Sequence, residues 1–136
     1  MAYLLDTNVL SELRKGAKAD ANVRRWARAA VSQRHCISVL SLGEIRRGID
    51  RLRPKDKVRA VLLEKWIEKL RVDFGRDILP ISEVVAERWG QITAGASLPV
   101  ADSLIAATAL VHGLTVVTRN EDDFRRCGVA VLNPFM

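Results

Sequence analysis

The chain has 136 residues, 49% of them hydrophobic, with 22 Lys and Arg against 16 Asp and Glu and a formal net charge of +6. A domain of this length can bury roughly two thirds of its unfolded surface, so it needs no disulfide framework or structural metal; Cys36 and Cys127 are too few for a zinc cluster and read as buried hydrophobes in a reducing compartment. No stretch approaches the roughly twenty apolar residues that span a bilayer, and MAYLLDTNVLSELRK lacks a basic segment before a long apolar one, so a cytoplasmic protein with no membrane partner is expected.

In chain order, the apolar run ending at Asp6 predicts a short buried strand over Tyr3 to Leu5, and Thr7 to Arg14 predicts a helix. A second helix is expected from the N-cap Asp20 to Ser32, with Val23, Trp26, Ala27 and Ala30 on one face. His35 to Ser38 reads as a strand. The next helix opens at Ser38 or Ser41, carries Leu42, Ile45 and Ile49 inward and Arg46, Arg47 and Arg51 outward, and is interrupted by Pro54. From Asp56 to Phe74, Val58, Leu62, Trp66 and Leu70 recur every four residues beside Leu63 and Ile67, predicting a long amphipathic helix.

Ile78 to Ile81 predicts a brief strand, and Ser82 opens a helix to about Ala96. A largely apolar helix follows from Val100 and ends at Gly113, a C′ position. Leu114 to Thr118 and Val129 to Leu132 are the last expected strands, separated by a turn over 118 to 123. Strands alternating with helices predict a small α/β domain: a three-layer α/β/α sandwich, with a mainly parallel central sheet of four to five short strands. No linker or repeat divides residues 1 to 136, which read as a single domain.

The charge is uneven. Between Arg14 and Arg59 there are 14 basic residues and four acids, whereas from Ala60 onward 8 basic residues meet 10 acids. Such a field suits a polyanion, and also suits solvated helix faces.

Four acidic positions stand out, because in open α/β sheets the functional crevice lies beyond the carboxyl ends of the strands. Asp6 ends the first strand, although it can also cap the following helix. Glu44 follows Ser41 by three residues and matches a capping box. Asp102 stands near the start of an almost wholly apolar run, where the helix dipole contributes only ~0.3–1 kcal/mol, too little to justify burying a charge. Asp122 and Asp123 lie in the turn after the late strand. Carboxylates gathered at one edge repel each other unless a cation compensates, and hard oxygen ligands select Mg²⁺ or Mn²⁺. Such an ion lowers the pKa of a water and orients it for attack on a phosphodiester.

The segments LLDTNVL, SLGEIRRG, LPVADSLIAATA, VVTRNEDDF and VLNPF resemble, in order and spacing, the PIN domain family, most closely its VapC and FitB-type members. The resemblance spans essentially the whole chain. It implies a PIN-like α/β/α sandwich and a Mg²⁺- or Mn²⁺-dependent endoribonuclease, the toxin of a type II toxin–antitoxin pair. It also implies an RNA substrate, a homodimer, and a small cognate antitoxin protein through which operator DNA is bound. Carried over residue by residue, Asp6, Glu44, Asp102 and Asp123 match the family's catalytic and metal-binding acids, with Asp122 adjacent to the fourth. Asn8, Thr118 and Asn120 match polar positions around that cluster.

Other residues read as structural: His35 and His112 as satisfied histidines, and Trp26, Trp66 and Trp89 as core or interface packing. Arg119 is a solvated loop residue or a phosphate contact. A different reading makes the chain a catalytically incidental, antitoxin-binding subunit of a DNA-bound autoregulatory complex, using the apolar stripe over 55 to 74. A third takes Asp6 as a phosphoryl-accepting nucleophile, but Asn8 occupies the second acidic place of the D-x-D-x-T pattern such phosphatases show.

Overall fold

The computed structural model describes residues 1–136. Five strands, β1 (Ala2–Leu5), β2 (Arg34–Ser38), β3 (Ile78–Leu79), β4 (Thr115–Val117) and β5 (Val131–Leu132), form one sheet in the order β3-β2-β1-β4-β5. Every pairing is parallel. Seven helices connect them: α1 (Thr7–Leu13), α2 (Ala21–Ala29), α3 (Val39–Leu52), α4 (Lys57–Phe74), α5 (Glu83–Thr93), α6 (Val100–His112) and α7 (Glu121–Arg126).

A parallel sheet is covered on both faces because its crossovers place helices there. The central strand shows it: Tyr3 and Leu5 join a core with Val9 and Leu10 of α1, Ile45 and Ile49 of α3 and Ile67 and Leu70 of α4. Leu4 points the other way, into a core with Ile105, Ala106 and Ala109 of α6 and Phe124 of α7. The expected three-layer α/β/α sandwich is thus observed, with its sheet wholly parallel. No helix is long and apolar enough to cross a membrane.

Helix starts follow local capping chemistry. Ser38, not Ser41, opens α3, its Oγ accepting from the Leu40 N–H at 3.0 Å. Ser41 is buried inside the first turn with its hydroxyl unpartnered, so no Ser41–Glu44 capping box forms. Gly113 ends α6 in the left-handed region at φ 67°, where glycine carries no Cβ penalty.

Two expectations change. The inward face of α4 is Ala60, Leu63, Ile67, Leu70 and Phe74, while Val58 and Leu62 are 76% and 54% exposed. An exact spacing of four drifts around a helix of 3.6 residues per turn, so Val58 and Leu62 leave the face that Ile67 and Leu70 occupy. The turn expected over 118 to 123 is in its second half a short helix, α7, held down by the fully buried Phe124. Burying a phenylalanine contributes about 2–3 kcal/mol, enough to fix a single amphipathic turn.

Candidate active site at the carboxyl edge of the sheet

Strand register creates the site. Leu5 of β1 lies opposite Val117 of β4, so the residues that follow each, Asp6 and Thr118, emerge side by side at the carboxyl edge. The Asp6 N–H donates to the Val117 carbonyl at 2.9 Å, extending the ladder by one step. Asp6 is the deeply buried acid, only 6% exposed. Its Oδ1 accepts from the Thr7 N–H at 2.8 Å, and its Oδ2 accepts from the Thr118 hydroxyl at 2.8 Å and the Asn8 amide at 3.3 Å. Asp6 therefore does cap α1, but only one of its three hydrogen bonds serves that cap.

Asp102 is half-buried at the mouth of the site, in the first turn of α6, so its burial is less complete than the apolar run suggests. Asn120 joins it to Asp123: the one amide Nδ2 donates to Asp102 Oδ2 at 2.8 Å and to Asp123 Oδ2 at 3.0 Å. The Asn120 N–H in turn donates to Thr118 Oγ1 at 2.9 Å, linking this pair back to Asp6. Glu44, from the second turn of α3, accepts from the Thr7 hydroxyl at 2.8 Å. A continuous network runs from Glu44 through Thr7, Asp6, Thr118 and Asn120 to Asp102 and Asp123. Asp122 makes no hydrogen bond or ion pair, so Asp123 is the acid that α7 contributes to the network.

The α6 end that carries Asp102 is itself braced. Ser103, fully buried, donates to the Pro99 carbonyl at 2.7 Å and accepts from Trp89 Nε1 at 2.9 Å, tying α5 to the start of α6. Trp89 is thus a half-buried packing residue with its indole N–H satisfied. Trp26 stacks on His35 with ring centroids 5.5 Å apart, and His35 Nε2 lies 2.9 Å from the Ala30 carbonyl. His112, by contrast, is exposed at the end of α6.

Electrostatics show how costly the cluster is. The Asp102 carboxyl is pushed up to about 6, first by partial burial and then by the charges of Asp6, Asp123 and Glu44; the Asn120 hydrogen bond opposes this. Asp6 is also raised, mainly by burial, against the Thr118 and Thr7 hydrogen bonds. Only Asp123 has a cationic neighbour, Arg126 at 3.6 Å; Asp6, Glu44 and Asp102 make no ion pair. Four mutually repelling carboxylates with a single cation beside them form an all-oxygen donor set that fits a hard divalent ion. No three of them stand close enough together to form a ready-made cation shell, so the donor chemistry and not a closed geometry is what fits such an ion.

Beside the acids runs a cleft of about 340 Å³, bounded by Thr7 and Glu44 at the acidic end and by Arg14, Lys15, Arg59 and Trp66 beyond. Of the remaining basic residues of the first half, Arg34, Arg46 and Arg53 are ion-paired within the chain. Arg46 of α3 and Arg53, which caps its C-terminus, both clamp Glu64 of α4, which is drawn down to about 2 by those hydrogen bonds. Thr7 escaped the sequence reading, although a hydroxyl directly after a strand-end aspartate was a usable signal. Its partner is 37 positions away, and nothing local announces that pairing.

The chain is 36% identical to the toxin FitB of Neisseria gonorrhoeae, with 97% of each chain covered. It is 30% identical to VapC ribonuclease Y4jK of Sinorhizobium fredii, covering 97% of this chain and 96% of that one. A solved structure of FitAB bound to a DNA fragment superposes with a TM-score of 0.83 at 34% identity, covering 98% of this chain and 96% of that one. The PIN domain profile matches residues 3–129, and with the fold and these relatives it places the chain in the PIN domain family.

Proposed function

We propose that this protein is the toxin of a type II toxin–antitoxin pair and acts as a Mg²⁺- or Mn²⁺-dependent endoribonuclease. The observation that carries the reading is the hydrogen-bonded set of Asp6, Glu44, Asp102 and Asp123, nearly without cationic partners, whose Glu44 also lines a cleft with Arg14, Lys15 and Arg59. The names of the relatives, a toxin and a ribonuclease, support it.

Asp6, Glu44, Asp102 and Asp123 would hold the ion. When bound, it would supply charge neutralisation at the scissile phosphate and lower the pKa of the attacking water. The chain's own residues supply the geometry. Thr118 and Asn8 both donate to Asp6 Oδ2 and leave its carboxylate one orientation. Asn120 keeps Asp102 and Asp123 abreast, and Thr7 turns Glu44 toward the same edge. This is the outer layer of hydrogen bonds that orients ligating carboxylates. Arg14, Lys15 and Arg59 would draw in the RNA backbone, a polyanion whose binding weakens as salt rises.

The protein is further read as a cytoplasmic homodimer restrained by a small cognate antitoxin, through which it reaches operator DNA. Exposed Val58, Val61 and Leu62 on α4 support a protein partner, and the DNA-bound FitAB relative supports the operator contact. The test is cleavage of a panel of tRNA, rRNA and mRNA substrates with Mg²⁺ or Mn²⁺ supplied. The wild type is expected to cleave and Asp6→Asn and Asp102→Asn to be inactive; a wild type no faster than these variants overturns the assignment.

A further inference from the structure

We infer that the C-terminal segment Asn133–Phe135 is part of the substrate site: it holds Arg119 at the acidic edge as an anchor for a phosphate of the RNA strand. The inference rests on the ribonuclease reading above.

Arg119 directly follows Thr118, and its backbone N–H donates to Asn8 Oδ1 at 3.2 Å, so its main chain is fixed to the network that orients Asp6. With so many carboxylates at this edge, its guanidinium would be expected to pair with one. It forms no ion pair and lies instead over the Phe135 ring, 4.5 Å from the centroid. A cation held by an aromatic face spends no carboxylate acceptor, so its N–H donors are not committed to an ion pair. The side chain is exposed, so those donors are open to a ligand. Arginine's planar fork matches two oxygens of a phosphate.

The ring itself is built in place. Asn22 Nδ2 donates to the Phe135 carbonyl at 3.0 Å, the Phe135 N–H donates to Asn133 Oδ1 at 3.0 Å, and Asn133 Nδ2 donates to Glu121 Oε2 at 2.9 Å. Pro134 between them is buried. Glu121 opens α7, the helix that carries Asp123, so tail, Arg119 and acids share one support. Three hydrogen bonds made by side-chain amides and the packing of Phe135 against the core fix the ring under Arg119. The arrangement holds the Arg119 guanidinium on the ring, unpaired with any carboxylate, while its backbone stays tied to the Asn8 amide beside Asp6.

The test measures anisotropy of a fluorescein-labelled short single-stranded RNA of randomised sequence, with Mg²⁺, in full-length protein carrying Asp102→Asn to prevent turnover. Arg119→Ala should weaken binding about tenfold, as loss of a charged hydrogen-bond donor does, and flatten the slope of log affinity against log salt by roughly 0.7–1, one phosphate's share. Phe135→Leu should weaken binding about threefold, Phe135→Trp should restore it, and Phe135→Leu should add nothing once Arg119 is alanine. Unchanged affinity and salt slope in Arg119→Ala overturn the anchor. So does a Phe135→Leu loss equally large with or without Arg119, which would make the ring merely structural. Cleavage by the otherwise wild-type chain, run alongside, separates the two levels: cleavage with an inert Arg119→Ala removes the anchor alone, whereas no cleavage and no RNA binding removes both.

Discussion

Asp102→Asn should make the metal-free protein more stable at neutral pH. In the folded chain the Asp102 carboxyl is pushed up from 3.8 to about 6 by burial and by the charges of Asp6, Asp123 and Glu44. At 1.36 kcal/mol per unit the full shift would be about 3 kcal/mol, but Asp102 is half exposed and solvent screens it, which leaves about 1 kcal/mol. The folded state binds the proton more tightly than the unfolded one, so between about pH 4 and 6 stability falls as pH rises, and the whole penalty is present above that window. An asparagine carbonyl still accepts from Asn120, so the variant loses the charge and keeps the bond. Thermal melts in EDTA at neutral pH should therefore show Asp102→Asn about 3 °C above wild type, with the difference vanishing near pH 4. Added Mg²⁺ or Mn²⁺ should raise the wild type and leave the variant nearly unmoved. A variant melting at or below wild type at neutral pH, or a difference that persists at low pH, refutes the account of crowded charge.

Asp6→Asn should behave oppositely, melting lower by about 1–2 kcal/mol, because the buried carboxylate accepts from three donors and an amide must turn its own donor against one of them; urea unfolding in EDTA measures it. Ser38→Ala should cost about 1 kcal/mol through the lost N-cap, whereas Ser41→Ala, removing an unpartnered buried hydroxyl, should be neutral or stabilising by the same assay. Thr7→Val releases Glu44 without touching any acid, and should reduce cleavage while sparing RNA affinity, read as a lower kcat with KM nearly unchanged. Lowering pH through about 6 should weaken metal affinity, since Asp102 must lose its proton to become a ligand; isothermal titration at several pH values shows it.

Local chemistry alone carried most of the architecture. Short apolar and β-branched runs, helical spacing of apolar residues, caps such as Asp20 and Ser82, and the Gly113 stop are read by the backbone within a few residues of where they act, so strands, helices and their alternation were legible in the chain. The acids were legible too, because a strand-end aspartate and a charge in an apolar helix contradict their surroundings. What required the folded molecule was anything settled by registers and faces. Ser38 rather than Ser41 caps α3 because β2 ends there, and so Glu44 is free to meet Thr7. The α4 stripe turned because the α3 core selects Ile67 and Leu70, leaving Val58 outside. Asp6, rather than Asp102, became the most deeply buried acid because the β1–β4 register sets it beside Thr118 under the edge, while α6 presents Asp102 at the mouth. Arg119 found Phe135, and not a carboxylate, through a tail fastened by Asn22 and Asn133. Those pairings join residues as much as 113 positions apart, and energies between such distant residues exist only once the sheet has brought them together.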